Sequence, residues 1–250
     1  MKINERCYVV YGLTMTPPWM VNSGFVVGDN RTLIIDSGGN YLSAQTIHGY
    51  AMVARPTNTL LVINTEPHSD HMGGNCLFRE LGIDVYGHEG IDRNDDQLKA
   101  VKEGYNDAVP DAFRRTHHEG DLVFLHTRFV NPNMRFREDF TLDLGGFEIQ
   151  VMMTPGHTPE NASVYVPSVK TLYCGDTIVN GYVPNLTVGG VDDWHKWLKS
   201  LDRIERLALD TVVPGHGEVM GGGDIKSEVG RTRTLLEEAI QSGVAPTETG

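Results

Sequence analysis

Residues 60–75 read LLVINTEPHSDHMGGN, and this stretch organises the chain. Leu60 to Ile63 are four consecutive large apolar residues, bounded by Asn64, Thr65 and Pro67. That pattern predicts a short strand buried on both faces. Four side chains able to bind a metal follow within six positions: Glu66, His68, Asp70 and His71. Met72 then opens a helical stretch, and Gly73 and Gly74 allow another piece of backbone to come close. A strand that delivers ligands from its carboxyl end into a tight loop is one way to build a metal site. The bland alternative is a polar loop whose histidines sit in solvent, and a single short motif does not choose between them.

Working outward, the N-terminal part predicts strands at Cys7–Tyr11, Gly24–Gly28 and Arg31–Ile35, the last two joined at Asp29-Asn30. Tyr41–Ala54 has helical spacing and stops before Pro56. After the ligand stretch come a short helix at Asn75–Leu81 and a strand at Ile83–Tyr86. His88 follows at the same kind of strand end, where it either approaches the site or, as the general spread of histidine roles favours, is a surface or structural histidine. Asp92–Tyr105 predicts a polar helix. Asn106–His126 shows no period and carries Arg114, Arg115, His117 and His118. The segment at about 90–138 is expected to be either a solvated stretch or a cover over a substrate site, since long irregular segments in compact domains are often functional.

The C-terminal half becomes strand-rich again. Phe140–Leu144 and Phe147–Met153 flank Gly145-Gly146 as a hairpin, followed by strands at Ala162–Val166, Lys170–Cys174 and Thr211–Val213. Helices are predicted at Asp193–Leu209, with Trp194 and Trp197 in the core, and at Ile225–Ile240. Each C-terminal strand end carries a polar signature: Pro155-Gly156-His157-Thr158, Gly175-Asp176 and Pro214-Gly215-His216-Gly217.

Composition bounds the reading. The 250 residues, 40% hydrophobic and 22% charged, suit one globular domain over 1–250 with no internal boundary. Lys plus Arg number 21 against 33 Asp plus Glu, a formal charge of -12. That excess argues against nucleic acid or an anionic membrane as the main partner. Three cysteines (Cys7, Cys76, Cys174) make no disulfide framework. The N-terminus has no signal-peptide pattern and no apolar run is long enough to span a bilayer, so a cytoplasmic location and a small-molecule substrate are expected. Oligomeric state is not legible.

Together the four motifs at 66–74, 155–158, 175–176 and 214–217, in that order and each at a strand end, resemble the metallo-β-lactamase-fold hydrolase superfamily. The resemblance covers nearly the whole chain. It implies an α/β (α+β) fold, a four-layer αββα sandwich, which the strand and helix pattern supports independently. It implies two divalent metal ions, zinc first, with iron or manganese as alternatives. Glu66, His68 and His157 would hold one, Asp70, His71 and His216 the other, and Asp176 both. It also implies a metal-bridging hydroxide as nucleophile, oriented by Asp70 as the catalytic residue. Substrate contacts are expected from Tyr182 and Asn185 beyond Asp176, and from Trp19 with Met20 as an apolar lip. Cys174 is expected in strand packing.

Two departures from the family pattern carry information. The motif usually begins with histidine, and here it begins with Glu66. Three carboxylates and a hydroxide against two divalent ions make a formally neutral site, expected to favour harder ions than the usual set. Asp176 stands where β-lactamases of this fold have Cys or Ser, which moves the reading towards lactonases and thioesterases. The expected reaction is attack on an ester, lactone, thioester or amide carbonyl. A β-lactam hydrolase, an iron-dependent oxidoreductase and a non-catalytic metal-binding protein are the alternatives.

Overall fold

Strand alternation explains the layers. The computed structural model describes residues 1–11, 20–107 and 126–246. One sheet runs in chain order through β1 (Cys7–Val10), β2 (Ser23–Val27), β3 (Arg31–Ile35), β4 (Thr59–Ile63), β5 (Val85–His88) and β6 (Met134–Phe136). Its first three strands are antiparallel and the rest are parallel. The second sheet contains β7 (Phe140–Asp143), β8 (Glu148–Met153), β9 (Ala162–Val166), β10 (Thr171–Tyr173), β11 (Thr211–Val213) and β12 (Met220–Gly221), again in chain order. Only β10 and β11 pair in parallel there.

Successive side chains on a strand point to opposite faces. Leu33, Ile35, Leu61 and Ile63 therefore meet Ile149, Val151, Val164 and Val213 between the sheets. Ile34, Leu60 and Val62 face outward, against Ala44, Ile47 and Ala51 of helix α1 (Tyr41–Ala54) and Leu77 and Phe78 of α3 (Asn75–Glu80). On the far side, Leu172 and Val212 of the second sheet pack under α5 (Val191–Glu205) and α6 (Gly223–Ser242) through Trp194, Trp197, Leu201 and Leu236. This is the αββα sandwich expected. The single-turn α2 (Ser69–Met72) lies between β4 and α3, and α4 (Asp95–Asp107) follows β5.

Differences from the expected boundaries have local causes. Ile83 closes the turn after α3, its N–H donating to Phe78 O (2.8 Å), so β5 begins at Val85 and takes in His88. Helix α5 ends at Glu205, where Arg206 N–H turns back to Arg203 O (3.3 Å) and Leu207 N–H to Ile204 O (3.0 Å), and Leu207 and Leu209 cover the same core cluster from the loop beyond it. β6 and β12 are three and two residues long, too short to show a period. The first of these takes part of the expected cover segment as an edge strand. Residues 108–125 of that segment, with Arg114, Arg115, His117 and His118, lie outside the described residues, as does Trp19.

The glycines after the ligand stretch do what their position suggested. A Cβ on Gly73 would lie 2.2 Å from Gly39 O, and one on Gly74 2.2 Å from Ser37 O. Only glycine lets this turn lie against the loop that leaves β3.

Candidate metal centre

The ends of β4, β8, β10 and β11 open at one edge of the sandwich, and seven acidic and histidine side chains converge there. From the loop after β4, Glu66 Oε2 stands 2.5 Å from His68 Nδ1 and 3.4 Å from His157 Nε2. His68 Nδ1 and His157 Nε2 are 3.1 Å apart. Beside this triad, His216 Nε2 lies 3.2 Å from Asp70 Oδ2, and His71 Nε2 lies 3.8 Å from the same oxygen. Asp176 faces both groups, at 3.4 Å from His71, 3.3 Å from His216 and 3.7 Å from His157. Donor atoms of Glu66, His68 and His157, of Asp70, His71 and His216, and of Glu66, His71 and Asp176 fall within 4.8 Å of one another in each set.

Three of the four histidines are held from behind. His71 Nδ1 meets Asp36 Oδ2 (2.9 Å), His157 Nδ1 meets Asn185 O (3.0 Å) and His216 Nδ1 meets Met20 O (3.2 Å). A ring nitrogen facing a carbonyl or carboxylate carries the proton, so each of these rings turns Nε2 inward. His68 is the exception and presents Nδ1. The turn that carries His71 is also anchored: its carbonyl accepts from Ser37 N–H (2.8 Å), Ser37 Oγ (3.2 Å) and Asn64 Nδ2 (3.2 Å).

Electrostatics follow from packing carboxylates and imidazoles together out of water. Burial opposes charge on His157, but Glu66 and Asp176 outweigh it and push the imidazole up to about 9. Burial likewise opposes charge on His216, which Asp176 and Asp70 push up to about 11. Burial works against the carboxylates too, yet His71 with His157 and His68 holds Glu66 low, and His216 with His71 holds Asp176 well below the carboxylate range.

The donor set fits divalent metal. Glu66 Oε1 and Oε2, His71 Nε2 and Asp176 Oδ1 are buried without a hydrogen-bond partner, although all point into the cluster. Buried polar atoms are ordinarily satisfied, and orphaned acceptors and imidazole nitrogens facing one point are the arrangement that a cation resolves. Mixed imidazole and carboxylate donors suit Zn, Fe or Mn.

The other expected residues divide. Tyr182 lines a cavity of ≈ 530 Å³ beside the cluster with Tyr11, Met20, Asn22, Asn180 and Glu218. The Asn185 side chain is occupied with Thr187, accepting from its N–H (3.0 Å) and hydroxyl (2.6 Å), while its carbonyl serves His157. His88 Nδ1 accepts from Gly90 N–H, and its ring packs on Phe136. Cys174 is buried under Val213 and Ile178 carbonyls. Trp197 is core as expected, but its ring also lies edge-on to His157 at 5.7 Å between centroids. Asp36 was not singled out from the sequence. Its one visible signal is an aspartate ending a strand before Ser37-Gly38-Gly39.

Comparison with known proteins agrees with this geometry. The sequence profile of the metallo-beta-lactamase superfamily matches residues 16–216. The chain belongs to the metallo-beta-lactamase superfamily. Among curated relatives, a linear primary-alkylsulfatase of Pseudomonas sp. is 24% identical over 67% of this chain but only 36% of its own length. The probable metallo-hydrolase YqgX of Bacillus subtilis is 26% identical, over 80% of this chain and 86% of the relative. A metallo-beta-lactamase from Pontibacter korlensis shares the fold with a TM-score of 0.68 at 20% identity, covering 95% of this chain and 97% of that one. This superfamily member thus spans about a third of the alkylsulfatase and most of YqgX.

Proposed function

We propose that this superfamily member is a metal-dependent hydrolase that cleaves an ester, thioester, lactone or amide bond of a small molecule, with two divalent ions held by the seven converging side chains. The observation that carries the reading is the pair of facing donor triads with Asp176 between them and four orphaned donor atoms aimed inward. Glu66, His68 and His157 would hold one ion, Asp70, His71 and His216 the other, and Asp176 both. The chemistry such ions supply when bound is Lewis acidity towards a substrate oxygen and acidification of water near neutral pH.

The protein's own residues account for the rest. Glu66 and His71 are fully enclosed, whereas the side chains of His68 and Asp70 are 35% and 14% exposed, so substrate arrives from their side. Asp70 and Asp176 are about equally exposed at the open side of the cluster, and Asp70 belongs to one triad only. With His216 at 3.2 Å, it is placed to orient an attacking water and to take its proton. The cavity beside His216, with Tyr11, Met20 and Tyr182 in its wall, supplies an apolar and phenolic surface for the rest of a small substrate.

Metal content per chain, measured by mass spectrometry on wild type, Glu66→Ala and Asp176→Ala, tests this together with a panel of ester, lactone, thioester and β-lactam substrates. Two ions per chain, fewer in both variants, and turnover lost with them are expected. A wild-type chain that takes up no metal would overturn the proposal. Turnover confined to the β-lactams would narrow the substrate class to strained cyclic amides.

A further inference from the structure

Arg93 sits in the connection between β5 and α4, half-buried, and it reaches the ligand loop from outside the cluster. Its backbone is clamped on both sides by one residue: Asn131 Oδ1 accepts from Arg93 N–H (3.1 Å), and Asn131 Nδ2 donates to Arg93 O (2.7 Å). The guanidinium spends its two terminal nitrogens on the ligand loop. Nη2 donates to Pro67 O (2.8 Å), and Nη1 contacts Met72 Sδ (3.1 Å). These two acceptors bracket the run that holds His68, Asp70 and His71. A half-buried cation is ordinarily paired with a carboxylate, and here its terminal nitrogens go to a carbonyl and a thioether instead.

That run has little stiffness of its own. Helix α2 is a single turn of four residues, too short to persist without outside support. Pro67 fixes its own φ and contributes no N–H, so its carbonyl is the backbone group by which the bend between Glu66 and His68 can be gripped. The His71 side of the run is held by Ser37 and Asn64. Arg93 grips the Pro67 end and also touches Met72 beside His71. Glu160, on the loop that carries His157, packs against Gly90 of the connection that carries Arg93: a Cβ on Gly90 would lie 2.9 Å from Glu160 Oε1. A planar fork suits two acceptors on different parts of a loop, which an ammonium point charge does not.

Resting on the metal-centre reading above, we propose that Arg93 is a positioning residue: by bracing Pro67 and Met72 it sets the separation of Glu66 and His68 and so the affinity of the first triad for its ion. The test is zinc titration of the chelator-stripped full-length chain against a chromophoric competitor, for wild type, Arg93→Met and Arg93→Lys, with the melting temperature of each metal-free chain measured alongside. In Arg93→Met, affinity for one of the two ions should fall about 10–100-fold while the metal-free melting temperature stays close to wild type. Arg93→Lys, which keeps the charge but can reach one acceptor only, should fall between the two. Wild-type affinity for both ions in Arg93→Met overturns the proposal. Should that variant not fold, wild-type affinity in Arg93→Lys overturns it equally. A wild-type chain that binds no zinc would instead defeat the metal-centre reading, a result read on a different protein from those that test Arg93.

Discussion

Asp36 Oδ2 lies 2.9 Å from His71 Nδ1, and both residues are buried. Asp36 also accepts from Thr65 N–H (2.8 Å) and the Thr65 hydroxyl (2.7 Å), so its carboxylate has three donors and one fixed orientation. It holds this place in a left-handed backbone conformation, φ 60°, which is unusual for a residue other than glycine. Backbone strain of that kind persists where the surroundings enforce it. Here the enforcement comes from β3 and β4, whose parallel pairing of Ile35 with Ile63 brings Asp36 beside Thr65.

Asp36→Asn should therefore weaken metal binding with little change in shape. An amide presents either a second donor to His71 Nδ1–H or a neutral, weaker acceptor. In the first case the imidazole loses the partner that fixes its tautomer, and in both it loses the negative charge that strengthens its basicity. Replacing such an outer partner typically costs about 10–100-fold in metal affinity or activity. Competitive zinc titration checks this, and wild-type affinity in the variant would mean that His71 does not depend on Asp36.

Gly156 offers a steric test of the other triad. A Cβ there would stand 2.3 Å from Trp197 Cβ and Cγ. Trp197 is fully buried and donates through Nε1 to Thr177 O (2.8 Å), so it has no room to withdraw. The strain in Gly156→Ala falls on the neighbouring His157. Overpacking of this kind costs about 1–3 kcal/mol, read as a lower denaturant midpoint. Metal content should fall with it. An unchanged midpoint would show that the 155–158 loop yields more easily than the packing indicates.

Much of this was legible in the sequence because it is local. The apolar run at Leu60–Ile63, the clustered ligands behind it and the small residues at Gly73-Gly74 sit side by side, and each has a distinct physical signature. What was not legible depends on pairing between distant segments. Asp36 becomes a partner of His71 only once β3 and β4 lie in register. Asn185 was expected in a loop facing the substrate; that its backbone carbonyl orients His157 was not legible, because any residue type supplies a carbonyl. Leu207 extends the helical period of α5 beyond its end because a loop can bury a leucine on the same cluster.

Glu66 puts a carboxylate into the first triad beside two imidazoles, and its consequence can be measured. The carboxylate is fully enclosed, with neither oxygen hydrogen-bonded. Carboxylate oxygen is a harder donor than imidazole nitrogen, which favours manganese or iron relative to zinc. Glu66→His should accordingly raise zinc affinity relative to manganese, measured by competition between the two ions on one sample. Equal relative affinities in variant and wild type would remove the idea that Glu66 tunes the choice of metal.

Proton balance gives a prediction with a definite sign. With no ion bound, the neighbouring carboxylates push His157 up to about 9 and His216 up to about 11, so both imidazoles are protonated at pH 7.5. A metal takes a neutral imidazole, and filling the site must expel those protons. Burial opposes charge on His71 as well, but Glu66 and Asp36 hold it well above the ordinary imidazole value, so it adds to them. Calorimetric titration at pH 7.5 in buffers of different ionisation enthalpy should therefore count more than about two protons released per filled centre. The count should fall as pH rises through 9, because His157 is then already neutral. The same shifts govern the chelated chain. A histidine whose folded value is raised contributes stability in full below its unfolded value of about 6.5. That contribution is lost as pH climbs through about 9 and then about 11. Glu66 and Asp176, held low, add stability above the ordinary carboxylate value of about 4 and lose it as pH falls below that. The metal-free chain should thus melt highest between about pH 4.5 and 6.5, with zinc extending that stability to alkaline pH. A metal-free melting temperature that is flat from pH 6 to 10, with no protons released on zinc binding, would show that these imidazoles do not stand in the field of Glu66, Asp70 and Asp176.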